Sequence, residues 1–204
     1  MDIQFRAAKL SDVDLALPLM YSAAPEALDY LYAVGDKSAH DFLRFAFLEG
    51  KGLYGWRNHA VALVDDRVVG IGSFFSGQQY RALTQELMLQ VLKFYPKLAL
   101  PALSLRTFHM AQIIPPPPLY CHFLMDFGVD PAYQSRGIGS AFLHHHQAIA
   151  IELGRDSLGL DVSVTNHRAQ ALYERLGFEV LTEKQFKGSK GAVPDCRRMI
   201  LSLN

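Results

Sequence analysis

The chain has 204 residues, half of them hydrophobic, enough for one substantial core, and its length allows one or at most two domains. Twenty basic residues balance twenty acidic ones, so net charge gives no case for DNA, RNA or an anionic membrane as partner. The N-terminus lacks a basic-then-apolar signal segment and no stretch approaches an uncharged membrane span, so a cytoplasmic protein is expected. Cys121 and Cys196 are too few and too separated for a disulfide framework, and reduced, mostly buried thiols are expected.

A first strand is predicted at about residues 3 to 7. Helices follow at about 11 to 23 and 38 to 49, with a short helical piece between them. Ser11 and Asp12 stand where an N-cap would precede Val13, Leu15, Leu17 and Leu19. Ala60 to Val64 and Val68 to Phe75 read as a hairpin around the polar turn Asp65-Asp66-Arg67. From Ser76 the pattern becomes helical, with Leu83, Leu87, Val91 and Tyr95 recurring on one face. Pro115 to Pro118 cannot continue a helix and favour an extended spacer that delivers the chain into a strand near Leu119.

That strand runs into VDPAYQSRGIGS, Val129 to Ser140, where a proline turn and a Gln-x-x-Gly-x-Gly loop precede a helix starting near Ile138. Small residues let backbone N–H groups approach an anion, and the helix start aims its unpaired amides and positive dipole end at the same point. Arg136 adds a cation, so the loop reads as a pyrophosphate cradle. A dinucleotide fingerprint would need a third glycine where Phe142 stands, and a Walker loop would need Gly-Lys-Ser/Thr after its first glycine. A plain strand-to-helix turn is the remaining alternative on the loop alone. Downstream, Ser157 to Val180 repeats strand, loop, helix and strand through Asn166 and Leu176-Gly177-Phe178.

Together, Val129, Pro131, Gln134, Gly137, Gly139, Asn166, Ala169, Tyr173, Gly177 and Phe178 resemble the two motif blocks of the GCN5-related N-acetyltransferase (GNAT) superfamily, over roughly residues 119 to 180. The resemblance implies an α/β (α+β) GNAT fold. Its central mixed, mostly antiparallel sheet has splayed fourth and fifth strands and helices on both faces. Here a helical insert, Ser76 to Pro118, separates strands three and four within a single N-acetyltransferase domain, residues 1 to 204.

The activity implied is transfer of an acetyl group from acetyl-CoA, as cosubstrate, to a primary amine by direct attack in a ternary complex. The expected cofactor-binding residues are Phe127, Val129, Gln134, Ser135, Arg136, Gly137, Ile138, Gly139, Ser140 and Asn166. Backbone near Phe127 to Val129 could pair with the pantetheine arm like an added strand. Tyr173, about two helical turns beyond Asn166, is the candidate general acid for the leaving thiolate, with a core aromatic as the alternative.

The base is harder to place. If Val129 fixes the alternation, Phe123, Met125 and Phe127 share its face, while His122, Leu124 and Asp126 share the other. Asp126 is then a base candidate only if a bulge turns the strand; His122, Glu26, Asp29 and Tyr30 are the others. Consecutive His144 to His146 fan out around a helix and read as a solvated face, and no metal is expected. The acceptor, a small-molecule or peptide amine, would meet some of Tyr21, Glu26, Asp29, Tyr30, Tyr32, Tyr80, Tyr95 and Phe108. No nucleic acid or membrane partner is expected, and a homodimer is left open. The rival reading is a catalytically silent acyl-CoA-binding module that regulates a partner.

Overall fold

The computed structural model describes residues 1–188 and 191–203; the expected domain span of 1 to 204 therefore includes positions outside the described residues. The elements, in chain order, are β1 (Gln4–Ala7), α1 (Val13–Ser22), α2 (Pro25–Tyr32), α3 (Ala39–Glu49), β2 (His59–Val64), β3 (Arg67–Phe75), α4 (Gly77–Phe94) and α5 (Leu100–Ile113). The second half supplies β4 (Cys121–Val129), α6 (Ile138–Glu152), β5 (Ser157–Ser163), α7 (His167–Arg175), β6 (Glu179–Lys184) and β7 (Cys196–Ser202). These strands form one sheet in the order β1-β2-β3-β4-β5-β7-β6. All neighbours are antiparallel except β4 and β5.

The local signals hold well. Asp12 occupies the N-cap position of α1, yet it bonds elsewhere: its carboxylate accepts from Arg6 at 2.7 and 2.9 Å and from the Lys9 N–H at 2.7 Å. The hairpin turn is two residues rather than three, because Asp65 and Asp66 both adopt positive φ, 50° and 60°. That conformation matches the twist of a tight hairpin and leaves Arg67 inside β3.

Sheet alternation divides the core. Val61, Leu63 and Ile71 pack into the cluster with Phe42, Phe47 and Met20 from the α1 and α3 side. Ala62, Val64 and Val69 face Ile138 and Phe142 of α6.

The expected alternation along β4 fails, for a definite reason. Ser73 pairs with Met125 while Ile71 pairs with Gly128, so Gly72 stands opposite both Asp126 and Phe127. This is a bulge at Asp126, whose φ is 54°. Beyond it the faces exchange. Phe127 joins Leu124 against Phe142 and Leu172 on the α6 and α7 side, and does not share a face with Met125. Asp126 turns instead toward His59 on the α1 and α3 side.

The helical insert consists of two helices, α4 and α5, and the run from Pro115 to Pro118 leads from α5 toward β4 without helix or strand structure. On α4, Leu83, Leu87 and Val91 pack inward, and Tyr95, just past its end, donates to the Tyr32 carbonyl at 2.6 Å. Helix α5 lies on α2, where Arg106 donates to the carbonyls of Tyr30 and Ala33 at 2.9 and 2.8 Å. The insert closes on itself, because the Gly77 N–H donates to the Pro118 carbonyl at 3.1 Å. The proline run is fixed from β7: Arg198 donates to the carbonyls of Pro115 and Pro116 at 2.5 and 3.1 Å.

The reading of His144 to His146 as a solvated face needs correction. His144 and His145 are exposed, but His145 stacks on Phe5 with centroids 4.6 Å apart. His146 is buried against Phe74, with centroids 3.7 Å apart, and its Nδ1 is 3.5 Å from His122 Nε2. Both cysteines are free and buried. Among the described residues no group of three or more His, Cys, Asp and Glu could hold a metal, and no helix is long and apolar enough to cross a membrane.

Candidate active site

Strands β4 and β5 pair only from Cys121 with Ser157 to Leu124 with Leu160. Past that point β4 continues to Val129 and β5 to Ser163 without pairing, and a cleft of about 770 Å³ opens between them. The cleft passes from the α6 and α7 side, where Gln134 and Arg168 line it, to the α2 and α5 side, where Glu26, Ala27, Ile113 and Ile114 line it. Backbone from Met125 to Val129 therefore has no strand partner on the cleft side, which suits an extended, amide-bearing ligand.

At one end, α6 begins with Gly137 at its N-cap position, φ 83°, and its first-turn N–H groups have no partner within the helix. A Cβ added to Gly137 would meet nothing within 4 Å, so its surroundings are open toward a ligand. Gly139 is small for another reason: a Cβ there would come within 2.9 Å of Leu172 on α7. The two glycines thus differ in surroundings, open space at Gly137 and close helix packing at Gly139. Gln134 holds the loop in shape, donating from Nε2 to the Val129 carbonyl at 3.0 Å.

Two arginines stand at this loop, in different places. Arg136 lies over the Tyr133 ring, 5.4 Å from its centroid, and is not among the residues lining the cleft. Arg168, in the first turn of α7, lines it instead and donates to Gln134 Oε1 and, at 3.1 Å, to Ser135 Oγ. Its place two residues after Asn166 was visible in the sequence. Its contact with the loop was not, because that depends on α7 packing beside it. Asn166 also lines the cleft, but its Oδ1 caps α7 by accepting from the Ala169 N–H at 3.0 Å. Only its amide NH₂ remains free to reach a ligand.

Tyr173 is buried beside Phe178, with ring centroids 5.8 Å apart, and lines the cleft. Burial raises its phenol above the ordinary value, so it holds its proton through the neutral range. Of the base candidates, Asp126 and Glu26 line the cleft. His122 lies on the far side of β4 against Phe74 and His146, and burial lowers it to about 4. Tyr30 bonds His109 Nδ1 at 2.6 Å, and Asp29 accepts from Tyr21 at 2.7 Å, so both are engaged outside the cleft.

Most of the aromatics expected at the acceptor side serve the core. Tyr32 and Tyr95 are buried around Phe42, Tyr80 packs on Phe75, and Phe108 is exposed on α5. The cleft wall there is made by Glu26, Ala27, Ile113, Ile114 and Val193 to Cys196. Its charge is uneven: Arg168 and Arg175 lie on α7, whereas Glu26, Asp126, Asp161 and Asp195 line the cleft elsewhere. Arg198 compensates Asp161, and Asp195 Oδ1 accepts from the Phe186 N–H at 2.8 Å.

A family model described as the acetyltransferase (GNAT) family matches residues 26–178. The chain belongs to that family. It is 42% identical over 59 residues to the [ribosomal protein bS18]-alanine N-acetyltransferase of Escherichia coli K12, an alignment covering 29% of this chain and 40% of that protein. The match therefore spans well under half of that curated relative's length. Among solved structures, an N-acetyltransferase from Staphylococcus aureus Mu50 superposes with a TM-score of 0.70 at 14% identity, over 97% of this chain and 100% of that one. A Salmonella typhimurium protein described as an acetyltransferase, solved with its cofactor acetyl-CoA, gives 0.59 at 18% identity, over 100% of this chain and 95% of that one. At those identities the likeness is one of fold.

Proposed function

We propose that this GNAT protein moves an acetyl group from acetyl-CoA to a primary amine by direct attack in a ternary complex. The observation that carries the reading is the junction of three features in one cleft. These are the free edge of β4 from Met125 to Val129, the open N-terminus of α6 at Gly137, and the buried phenol of Tyr173. Loop amides from Ser135 to Ser140, with Arg168, would hold the pyrophosphate, and the β4 edge would hold the pantetheine amides. A β4 backbone N–H can donate to the oxyanion that develops as the amine attacks the thioester carbonyl. Tyr173 supplies the proton for the departing sulfur, and Asp126, directly or through water, takes one from the attacking nitrogen.

The carboxylates of Glu26, Asp126 and Asp195 favour a positively charged amine, which must shed a proton before attack. The E. coli relative, by its name, acts on the alanine of a ribosomal protein. A peptide N-terminus and a small cationic amine are the two acceptor types to try here. The C-terminal end of α5, at Ile113 and Ile114, would give the insert its part in choosing between them.

Thermal melts with acetyl-CoA, NAD and ATP, followed by an amine and peptide panel read by free-thiol release, test the proposal. A ligand at a hundred times its dissociation constant stabilises by about 2.7 kcal/mol, a readily seen shift. Stabilisation by acetyl-CoA and thiol release with a cationic amine are expected. No shift at millimolar acetyl-CoA would end the cofactor assignment, and tight binding with no release across the panel would favour the silent module.

A further inference from the structure

His59 begins β2, and its side chain is fully enclosed. Its Nδ1 lies 3.0 Å from the Gly55 carbonyl oxygen. A carbonyl only accepts, so Nδ1 carries a proton, and in the neutral ring Nε2 presents a lone pair. That lone pair meets another acceptor: Nε2 is 3.7 Å from Asp126 Oδ2. Both atoms are buried, and neither has a hydrogen-bond partner among the described residues. Two acceptors facing each other in a dry site are unfavourable, and a single added proton turns that repulsion into an attraction between imidazolium and carboxylate, which an approach of under about 1 Å would close to a charge-assisted hydrogen bond.

The bulge gives this pair its access. At φ 54° Asp126 occupies the left-handed region that Asp and Asn tolerate better than most residues, and from there it both faces His59 and lines the cleft. We propose that His59 and Asp126 form the proton-accepting unit for the attacking amine, Asp126 collecting the proton and His59 being the positioning residue that shares it. The inference rests on the acetyl-transfer reading above. The protons balance. The ammonium nitrogen gives up two, one to Asp126 and then solvent, the other ending on the thiol sulfur as the C–S bond breaks and the C–N bond forms. Tyr173 donates to the sulfur and is reprotonated in turn.

The groups packed around the pair are suited to a protonation device. Tyr32 of α2 and Tyr54, between α3 and β2, bond each other at 3.2 Å, and burial, with a further contribution from the Asp126 charge, keeps both phenols protonated. Tyr80 of α4 is a third phenol raised by burial. Phe47 of α3 is apolar, 6.2 Å between ring centroids from His59, and Ser73 of β3 spends its hydroxyl on the Met125 carbonyl at 3.3 Å.

The test compares wild type with His59→Gln and Asp126→Asn, each checked for folding by thermal melt. For His59→Gln, kcat should fall about a hundredfold with acetyl-CoA affinity unchanged, and the acid limb of the pH–rate profile should move to lower pH. Imidazole ¹⁵N NMR gives a readout independent of turnover. Nδ1 of His59 should stay protonated while Nε2 gains its proton in a step that Asp126→Asn shifts. A folded His59→Gln protein with wild-type kcat and the same acid limb would overturn the proposal. So would a His59 titration identical in wild type and Asp126→Asn. If the wild type released no thiol with any amine, the transfer reading would fall instead, and the NMR titration would still decide whether the two residues share a proton.

Discussion

Arg198 on β7 grips Asp161 on β5 through two hydrogen bonds, 2.9 Å from Nε and 2.7 Å from Nη2, and turns its other donors onto the carbonyls of Pro115 and Pro116. Both side chains are 8% exposed. One buried guanidinium thus joins the sheet to the end of the insert and covers the Phe123 ring, 4.8 Å from its centroid. Replacing Arg198 by Met should destabilise the protein by about 3–5 kcal/mol, because a buried carboxylate loses its partner. The double variant with Asp161→Asn should recover a good part of that loss. Urea melts of both variants measure it.

The two loop glycines should separate by experiment. Gly137→Asp puts a negative charge and a strained left-handed side chain into open space, so acetyl-CoA binding should collapse while the fold survives. Gly139→Val pushes into Leu172 and should cost stability first, by about 1–3 kcal/mol. Arg168→Ala should weaken binding by about tenfold or more without lowering the melting temperature much. Calorimetric titration and thermal melts on the same three proteins distinguish the effects, and unchanged affinity in folded Gly137→Asp would move the phosphate site elsewhere.

Tyr173→Phe removes one hydroxyl and keeps the ring. If the phenol serves the leaving sulfur, turnover should drop about a hundredfold while acetyl-CoA affinity holds. The low end of the acid–base range is expected because a thiolate, with a parent thiol near pKa 8.5, already leaves fairly well. A lower melting temperature with turnover per folded molecule unchanged would make Tyr173 a core aromatic.

His122 and His146 should make the fold acid-sensitive. Burial lowers them to about 4 and about 3, against roughly 6.5 in an unfolded chain. Between those values the unfolded state binds protons that the folded state refuses, so stability falls as pH drops from about 6.5 toward 4. His146 alone should contribute about 3 kcal/mol of loss by pH 4.5, two pH units below the unfolded value at about 1.4 kcal/mol each. His146→Phe, which can still pack on Phe74, should flatten that slope relative to wild type in denaturant melts across the window. An identical slope would assign the acid sensitivity to other groups.

What the sequence made legible was local. The hairpin and the start of α6 follow from residues close in the chain, so turn chemistry and periodicity suffice for them. The bulge at Asp126 was not, because it exists only in the pairing of Gly72 with two residues of β4. His146 looked like one of three equivalent surface histidines until Phe74 and His122 met it from two strands. His59 stands at the head of an apolar run and gives no signal of its own; it becomes informative only when β2, β3 and β4 lie side by side. The same holds for β7, which enters the sheet between β5 and β6, against chain order.

The parting of β4 and β5 after Leu124 and Leu160 has a mechanical side. A pantetheine arm bonded along Met125 to Val129 would serve as a temporary strand in the middle of the sheet, zipped in by the same backbone groups that elsewhere join permanent neighbours. Each catalytic cycle would then end with the protein unzipping a piece of its own architecture. The ease of that last step, set by how many rungs the arm makes, becomes a ceiling on turnover that no improvement at Tyr173 or Asp126 could lift.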